Sequence, residues 1–322
     1  MTALPIQELR RRFEAGFSEH ALLSRHTSAR VGGPADVLLI AESSQDLARM
    51  AVFLWQHELP VFILGGGSNL LVSDAGVRGV VVLNRARKVI FNPADNPPSV
   101  WAESGANFGS LARQACQHGL SGLEWAVGVP GTLGGAVVGN AGAHASDMVA
   151  SLIVAEILHR NACMKLASNQ DPIAELWPVE RLEYTYRNSV LKSQAGQAVV
   201  LAARLHLQPS NPAEATARAD AFTAYRHRTQ PPGATMGSMF KNPAGDYAGR
   251  LIEAADLKGL RRGQAEISSL HANFFVNHGG ATAADIYSLI ETAQKMVKDK
   301  FGVSLELEVE LVGEWQTERS PK

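Results

Sequence analysis

The sequence contains little cysteine and no long hydrophobic run. Cys116 and Cys163 are its only cysteines, and they stand far apart. Two isolated thiols exclude a cysteine-based zinc cluster and give no disulfide framework, which favours a reducing compartment. No window approaches about 18 uninterrupted apolar residues, the length of a membrane-spanning helix. We therefore expect no metal site and no membrane segment.

The sequence also has no long stretch in which charges of one sign predominate. The 322 residues carry a net charge of −1, and the pI is about 6.8 because acids and bases are mixed along the chain. Without a basic tract we expect no nucleic-acid partner. The N-terminal stretch has no long apolar core behind its charges, which argues against a signal peptide. The length suits about two or three domains, and we expect a cytoplasmic protein.

Glycine is concentrated in one stretch, Ser121–Asp147, which we call the second glycine segment. Pro130 and Asn140 lie among its glycines, so neither a regular helix nor a strand suits the stretch as a whole. Successive backbone N–H groups aimed at one place bind anions, most often phosphates. Only Glu124 and Asp147 are charged here. A pyrophosphate bound to this segment would therefore be held by backbone dipoles. Its glycines are Gly122, Gly128, Gly131, Gly134, Gly135, Gly139 and Gly142.

The first glycine segment, Val61–Asp74, is a short apolar strand followed by Gly65-Gly66-Gly67, Ser68, Asn69 and another apolar run. Tight turns between short strands are the ordinary explanation for glycines of this kind. Two separate glycine loops, the first directly after a strand, favour instead one extended ligand held from both sides. The third glycine of a Rossmann fingerprint would fall on Leu70, so that motif is absent.

Periodicity and turn residues predict a mixture of helices and strands. One short amphipathic helix is expected over residues 1–20, and another begins at Thr282 with Asp285 completing a capping box. Ser44 is the expected N-cap of its helix, and Pro209–Pro212 is an expected linker. The other predicted helices are Ser44–Gln56, Phe108–His118, Ala213–Arg226 and Ala248–Ala255. The predicted strands are Val37–Ile40, Val61–Leu64, Gly79–Leu83, Ser99–Ala102, Leu152–Leu158, Arg181–Thr185, Ala198–Leu207, Asn273–Val276 and Val303–Val312.

The last predicted strand alternates in character: its apolar residues point to one face, and Glu306, Glu308 and Glu310 point to the other. Like charges on both sides disfavour ionisation, so the pattern predicts that Glu308 is protonated more readily than an isolated glutamate. A solvated polar face on an ordinary strand is the alternative.

Several motifs in one order resemble a single family, the UDP-N-acetylenolpyruvoylglucosamine reductases, or MurB flavoenzymes, of bacterial peptidoglycan synthesis. The resemblance runs from about Leu23 to about Gly313. Thr229-Gln230-Pro231, followed soon by Gly237-Ser238, is typical of the shorter form of the family. The matching stretches are Leu64–Val72, Gly128–His144, Tyr186–Val190, Gly237–Ala244, Gly249–Leu260, Ser269–His278 and Leu305–Glu310.

The resemblance implies an α+β fold. After the N-terminal helix (1–20), residues 21–208 would form an FAD-binding domain of the vanillyl-alcohol-oxidase type, with two subdomains divided near 85–98. Residues 209–322 would form a smaller α/β domain that closes over the sugar nucleotide. FAD would bind non-covalently to the two glycine segments. The implied FAD-binding residues are Gly65, Gly66, Gly67, Ser68, Asn69, Gly128, Pro130, Gly131, Gly134, Gly135, Asn140 and Gly142.

The resemblance also implies a reaction. NADPH reduces FAD, and a hydride from flavin N5 reaches the enolpyruvyl double bond of UDP-N-acetylglucosamine enolpyruvate, which gives UDP-N-acetylmuramate. Negative charge then develops at the α-carbon. By family position, Arg187 and a protonated Glu308 would stabilise this charge, and Ser238 would donate a proton, with Lys241 favouring the alkoxide left behind. Tyr186, Lys241 and Asn242 would contact the substrate; packing, capping or surface pairing is the alternative for each.

Some positions depart from the family pattern, and other functions stay open. Glu310 stands where a basic residue is frequent, Ala145 stands where glycine is frequent, and His159–Val179 is long enough for an extended hairpin. One alternative is another FAD-dependent oxidoreductase on the same flavin domain, although the substrate domain and the lack of a flavin-tethering context around His144 argue against it. The other is a flavin-free nucleotide-binding or assembly protein. The sequence assigns no oligomeric state.

Overall fold

The computed structural model describes residues 4–164 and 172–315, which form two compact units. The first unit contains the described residues up to Ser18 together with Val37–Gly66 and Gly79–Arg226. The second contains Glu19–Asp36, Gly67–Arg78 and the chain from His227 onward. Each unit is built from separate stretches of chain. The predicted N-terminal helix (1–20), FAD-binding domain (21–208) and substrate-binding domain (209–322) are assignments of function, and they remain predictions.

The helices follow the predictions closely where caps are strong. The predicted bounds of Ser44–Gln56 are confirmed, but its N-cap is Ser43, whose Oγ accepts a hydrogen bond from the Asp46 N–H at 3.1 Å. The capping box at Thr282 is confirmed, and Gly302 ends that helix in the left-handed region. The α-helices are α1 (Ile6–Arg12), α2 (Ser44–Gln56), α3 (Phe108–Gln117), α4 (Leu133–Gly139), α5 (Met148–Ser151), α6 (Arg160–Cys163), α7 (Val190–Ser193), α8 (Pro212–Thr229), α9 (Ala248–Ala254) and α10 (Ala283–Phe301).

The strands are mostly where alternation placed them. They are β1 (Ser18–Leu22), β2 (Pro34–Ala41), β3 (Val61–Leu64), β4 (Leu70–Val72), β5 (Val77–Asn84), β6 (Val89–Asn92), β7 (Ser99–Glu103), β8 (Leu120–Ser121), β9 (Gly142–Ala143), β10 (Ser146–Asp147), β11 (Leu152–His159), β12 (Glu175–Pro178), β13 (Ala198–His206), β14 (Gln208–Pro209), β15 (Ala234–Ser238), β16 (Arg261–Arg262), β17 (Ala265–Ile267), β18 (Phe274–Asn277) and β19 (Glu310–Val312). Short 3₁₀ turns occur at Glu14–Gly16, Leu23–His26, Glu124–Ala126 and Val179–Leu182.

Three element predictions are wrong in extent or type. The strand expected at Arg181–Thr185 is instead a 3₁₀ turn, Val179–Leu182, which ends where Glu183 enters the left-handed region. The helix expected over residues 1–20 covers only Ile6–Arg12, and β1 begins at Ser18. The strand expected over Val303–Val312 is regular only at Glu310–Val312, because its earlier part has a single β-bridge, between Leu307 and Phe240.

Two predicted features hold in part. Alternation along the last segment is visible because buried Leu305 is followed by exposed Glu306 and buried Val309 by exposed Glu310. Of the extended hairpin expected over His159–Val179, the second strand is present as β12, but it pairs antiparallel with β11 ahead of that stretch, from Ile157 opposite Glu175 to Val154 opposite Pro178, and Arg160–Cys163 is helical. Residues 165–171 of that stretch lie outside the described residues.

In the first unit, β12, β11, β13, β7 and β6 form an antiparallel sheet in that order. β3, which begins the first glycine segment, pairs parallel to β5. One hydrophobic cluster contains Phe108, Trp125 and the fully buried Leu133 and Val137 of α4. Burial of these two α4 side chains anchors the second glycine segment in the core.

In the second unit, β15, β18, β17 and β16 form another antiparallel sheet. Its core contains Phe240 and Phe275, both fully buried, with the apolar faces of α9 and α10. β4 pairs parallel to β19, so the residues after the triple glycine lie beside the last described strand. Among the described residues, no helix is long and apolar enough to cross a membrane.

Candidate active site

The two glycine segments meet within the first unit. A Cβ added to Gly66 would lie 2.8 Å from the Gly131 Cα, and one added to Gly65 would lie 2.5 Å from the Thr132 Oγ1. Real Cβ atoms do not approach other atoms this closely, so glycine is needed at both positions for the segments to touch. The predicted proximity of the two segments is thus present for Gly65, Gly66 and Gly131.

Gly66→Ala should therefore destabilise the protein. The new methyl group meets backbone rather than a flexible side chain, and overpacking of this kind costs about 1–3 kcal/mol. Gly139→Ala is a matched control, because a Cβ there meets no atom within 4 Å and alanine suits a helix better than glycine. The measurement is the free energy of unfolding in urea. Equal values for the two variants would show that the close contact is not required.

The second glycine segment contains a short helix that the sequence did not predict. Thr132 caps α4 by accepting from the Gly135 N–H at 3.4 Å, and the Gly134 N–H donates to the Ser104 carbonyl at 2.8 Å. The cap and the buried Leu133 and Val137 compensate for the low helix propensity of glycine. The Gly134 and Gly135 N–H groups thus have partners within the fold, and their predicted role toward the cofactor remains a prediction.

The same segment offers polar atoms and open main chain to a ligand. Asn140 Oδ1 and His144 Nε2 are buried and have no hydrogen-bond partner among the described residues. Buried polar atoms are rarely left unpaired in a complete structure. A Cβ on Gly139 would meet nothing within 4 Å, and one on Gly135 would meet only Thr132 Oγ1, at 3.7 Å. A flat heterocycle with polar edges, such as a flavin, fits a surface of this kind.

His144, which the sequence did not single out as a site residue, packs against aromatic side chains of α8. Its ring stacks on Phe222 of α8 with centroids 4.2 Å apart, and its edge contact with Tyr225 measures 5.7 Å between centroids. Burial, together with the nearby Arg226 charge, lowers the pKa of His144, so the ring is neutral near pH 7. Burial also lowers the pKa of Arg226. The sequence feature that could have indicated this contact is the aromatic pair Phe222 and Tyr225, three residues apart in an alanine-rich helix.

A two-residue hairpin carries His144. Gly142 pairs with Asp147 and Ala143 pairs with Ser146, while His144 and Ala145 both have positive φ, 52° and 59°. Positive φ at both loop residues is the geometry of a type I′ turn, which favours glycine at its second position. Ala145, which departs from the family pattern, is therefore strained.

Ala145→Gly should stabilise the protein. Relief of the left-handed backbone conformation of an exposed alanine outweighs the entropy that glycine adds to the unfolded chain, by about 0.5–1 kcal/mol. We expect the midpoint of thermal unfolding to rise by about 1–3 °C. Ala143→Gly, in the strand of the same hairpin, is the control and should lower it. A lower midpoint for Ala145→Gly would contradict the turn assignment.

Arg187 occupies the tip of a second tight turn in the first unit. Thr185 and Asn188 exchange both main-chain hydrogen bonds, each 3.1 Å long, and leave Tyr186 and Arg187 between them. Arg187 has a φ of 57°, in the left-handed region. Its guanidinium carbon lies 5.5 Å from the centre of the Tyr186 ring, which is 55% exposed. Strain in a half-buried charged residue is typical of functional sites.

Ser238 and Glu308 lie on neighbouring segments of the second unit. Ser238 ends β15, and the Glu308 N–H donates to the carbonyl of the next residue, Met239, at 2.9 Å. Asn69 joins the same region, because its Nδ2 donates to the Glu308 carbonyl at 3.1 Å and its own carbonyl accepts from the Glu310 N–H at 3.0 Å. The main chains at Met239, which follows Ser238, and at Glu308 are therefore adjacent, and Asn69 of the first glycine segment lies beside Glu308.

The predicted substrate-binding residues of this unit have partners within the fold. Lys241 Nζ lies 3.5 Å from Glu306 Oε2, and the Lys241 N–H donates to the Glu306 carbonyl at 2.9 Å. Asn242 Oδ1 accepts from the Ala248 N–H at 3.1 Å, at the start of α9. The capping alternative is thus observed for Asn242, and substrate contact by Tyr186, Lys241 and Asn242 stays a prediction.

Comparison with known protein families identifies two domains. An FAD-binding-domain family model matches residues 35–158, which include both glycine segments. A family model for the C-terminal domain of UDP-N-acetylenolpyruvoylglucosamine reductase matches residues 229–312, which include Ser238 and Glu308. The predicted α+β fold with an FAD-binding domain is confirmed, and the C-terminal match disfavours the alternative of another FAD-dependent oxidoreductase on the same flavin domain.

Relatives cover nearly the whole chain. The chain is 44% identical to the UDP-N-acetylenolpyruvoylglucosamine reductase of Chloroflexus aggregans over 90% of its own length and 95% of the relative's. For the reductase of Rubrobacter xylanophilus the identity is 41%, over 91% and 94%. The crystal structure of the Thermus caldophilus enzyme is 35% identical and superposes with a TM-score of 0.74, covering 91% of this chain and 98% of that one. This chain therefore belongs to the UDP-N-acetylenolpyruvoylglucosamine reductase family.

Proposed function

We propose that this protein reduces UDP-N-acetylglucosamine enolpyruvate to UDP-N-acetylmuramate, with NADPH as the source of the hydride, in peptidoglycan precursor synthesis. FAD is the cofactor. One observation carries the proposal: the C-terminal domain of this reductase family, which contains Ser238 and Glu308, is present together with the FAD-binding domain.

The glycine segments would hold FAD. Gly65, Gly66 and Gly131 have no side chains, so the two segments can approach closely. The unpaired Asn140 Oδ1 and His144 Nε2 would form hydrogen bonds with polar atoms of the flavin ring system. The other predicted contacts are Gly67, Ser68, Asn69, Gly128, Pro130, Gly134, Gly135 and Gly142. When bound, FAD supplies the hydride that the enolpyruvyl double bond requires.

Residues of this chain would stabilise the developing negative charge and supply the proton. We assign Arg187 to the negative charge that develops next to the substrate carboxylate, because a fixed cation stabilises such charge most where water is excluded. Glu308 would act as a neutral carboxylic acid that donates a hydrogen bond. The Ser238 hydroxyl would donate a proton to the α-carbon. Lys241, three residues beyond Ser238, would favour the alkoxide that remains. This mechanism requires Arg187, Glu308 and Ser238 to act on one enolpyruvyl group.

The partners follow from this reaction. We propose a UDP-linked sugar and NADPH as the two substrates. We also propose a cytoplasmic location, because Cys116 and Cys163 are both free and buried, as is common for thiols kept in a reducing compartment.

The test uses the purified protein. We expect a yellow protein with flavin absorbance and NADPH consumption that depends on UDP-N-acetylglucosamine enolpyruvate. UDP-N-acetylglucosamine, which lacks the double bond, is the matched control and should support no consumption above the background with oxygen. A colourless protein that does not take up FAD would favour a flavin-free scaffold. Flavin reduction without any response to the enolpyruvyl substrate would favour another oxidoreductase.

A further inference from the structure

The Arg187 turn is attached to the second glycine segment by three side-chain hydrogen bonds within the first unit. The Tyr184 hydroxyl donates to the Val137 carbonyl at 2.7 Å, and the Ser189 hydroxyl donates to the Val138 carbonyl at 2.6 Å. In the opposite direction, Asn140 Nδ2 donates to the Thr185 carbonyl at 3.0 Å. Every one of these bonds joins the turn to α4 or to the residue that ends it.

The two hydroxyls bind where the helix needs donors. The last carbonyls of an α-helix have no partner within the helix, and in α4 two of them accept from Tyr184 and Ser189. Ser189 is fully buried and Asn140 is 5% exposed, so water does not compete easily for these bonds. Burial is also the main cause that raises the pKa of Tyr184. Its hydroxyl therefore remains a donor throughout the working pH range.

The positions of the three bonds restrain the turn from both sides. Tyr184 precedes the Thr185–Asn188 turn and Ser189 follows it, so each strand of the turn has its own attachment. Arg187 itself adopts a backbone conformation that residues with a side chain rarely occupy. A turn with such a residue at its tip tends to relax unless its surroundings hold it.

We propose that Tyr184, Ser189 and Asn140 are positioning residues that orient the Arg187 guanidinium for the reaction. This inference rests on the proposed function, since it assigns Arg187 to the substrate. A displacement of about 1 Å in a reacting group can lower the rate about 100-fold. Loss of one attachment should therefore reduce turnover while the glycine segments still bind FAD.

The first test compares Tyr184→Phe and Ser189→Ala with Ser43→Ala. The Phe variant keeps the buried ring and removes only the hydroxyl. Ser43→Ala removes a helix-capping hydrogen bond elsewhere in the same unit and serves as the stability-matched control. We expect kcat to fall about 10-fold for the first two variants, with flavin content unchanged, and to stay at the wild-type value for Ser43→Ala. An equal fall in all three would mean general destabilisation and would overturn the proposal.

Ser189 also caps α7 by accepting from the Lys192 N–H, so a conservative variant is needed. Ser189→Thr keeps both the donor and the acceptor, and it should retain most of the kcat that Ser189→Ala loses. Failure of this rescue in a protein of wild-type thermal stability would count against the hydroxyl as the positioning group.

The decisive test is a double-mutant cycle with Arg187→Ala. If Tyr184 acts through Arg187, Tyr184→Phe should lower kcat in the wild-type background and leave it unchanged in the Arg187→Ala background. An undiminished effect of Tyr184→Phe in both backgrounds would overturn the positioning role. Failure of the proposed function has a different signature, because the wild-type protein itself would then show no NADPH consumption that depends on the enolpyruvyl substrate.

Discussion

Arg187→Ala should lower kcat for the enolpyruvyl substrate about 10²–10³-fold, the range found when one fixed donor is removed from developing negative charge. The flavin should remain bound, because no glycine contact changes. The measurement is steady-state NADPH consumption together with the flavin absorbance of the purified variant. Arg181→Ala is a matched control: that arginine is exposed and pairs with Glu175 at 2.9 Å, and its loss should leave kcat unchanged.

A second variant at the same position separates strain from chemistry. Arg187→Gly removes the charge as alanine does, but glycine adopts a φ of 57° at little cost. We expect the glycine variant to be about 0.5–1 kcal/mol more stable than the alanine variant and equally slow. An alanine variant with wild-type kcat would remove Arg187 from the mechanism. A glycine variant less stable than alanine would show that the turn is not strained.

Ser238→Ala should slow the reduction of the enolpyruvyl group about 10²–10⁴-fold, the usual contribution of a positioned proton donor. Reduction of bound FAD by NADPH does not involve this proton, so its rate should be unchanged. Rapid-mixing absorbance measurements follow the two half-reactions separately. The control is Ser304→Ala, an exposed serine of the same unit whose Oγ accepts from Lys298 Nζ; both half-reactions should keep their wild-type rates.

The pattern of loss distinguishes the possible roles of Ser238. If both half-reactions slow together, the substitution has disturbed the fold around β15 rather than the proton transfer. If neither slows, the proton reaches the α-carbon from another group, and the assignment of Ser238 is wrong.

Local chemistry allowed much of the fold to be predicted. The bounds of α2 and β3 and the capping box of α10 depend on residues a few positions apart, and all three are confirmed. The same rules missed α4, whose glycines argue against a helix, because buried Leu133 and Val137 stabilise it from the core. They also extended the last strand too far, since a strand needs a partner as well as alternation.

By itself, the sequence determined the order and spacing of the family motifs, the capping box of α10 and the glycine positions. Only the tertiary structure decided that Gly66 packs against Gly131, that His144 stacks on Phe222, and that Ser189, 51 positions from Val138 in the chain, binds its carbonyl. The physical reason is the separation along the chain over which each kind of interaction acts. Propensity and capping act between near neighbours in the chain, whereas these contacts exist only after burial of the core has brought distant segments together.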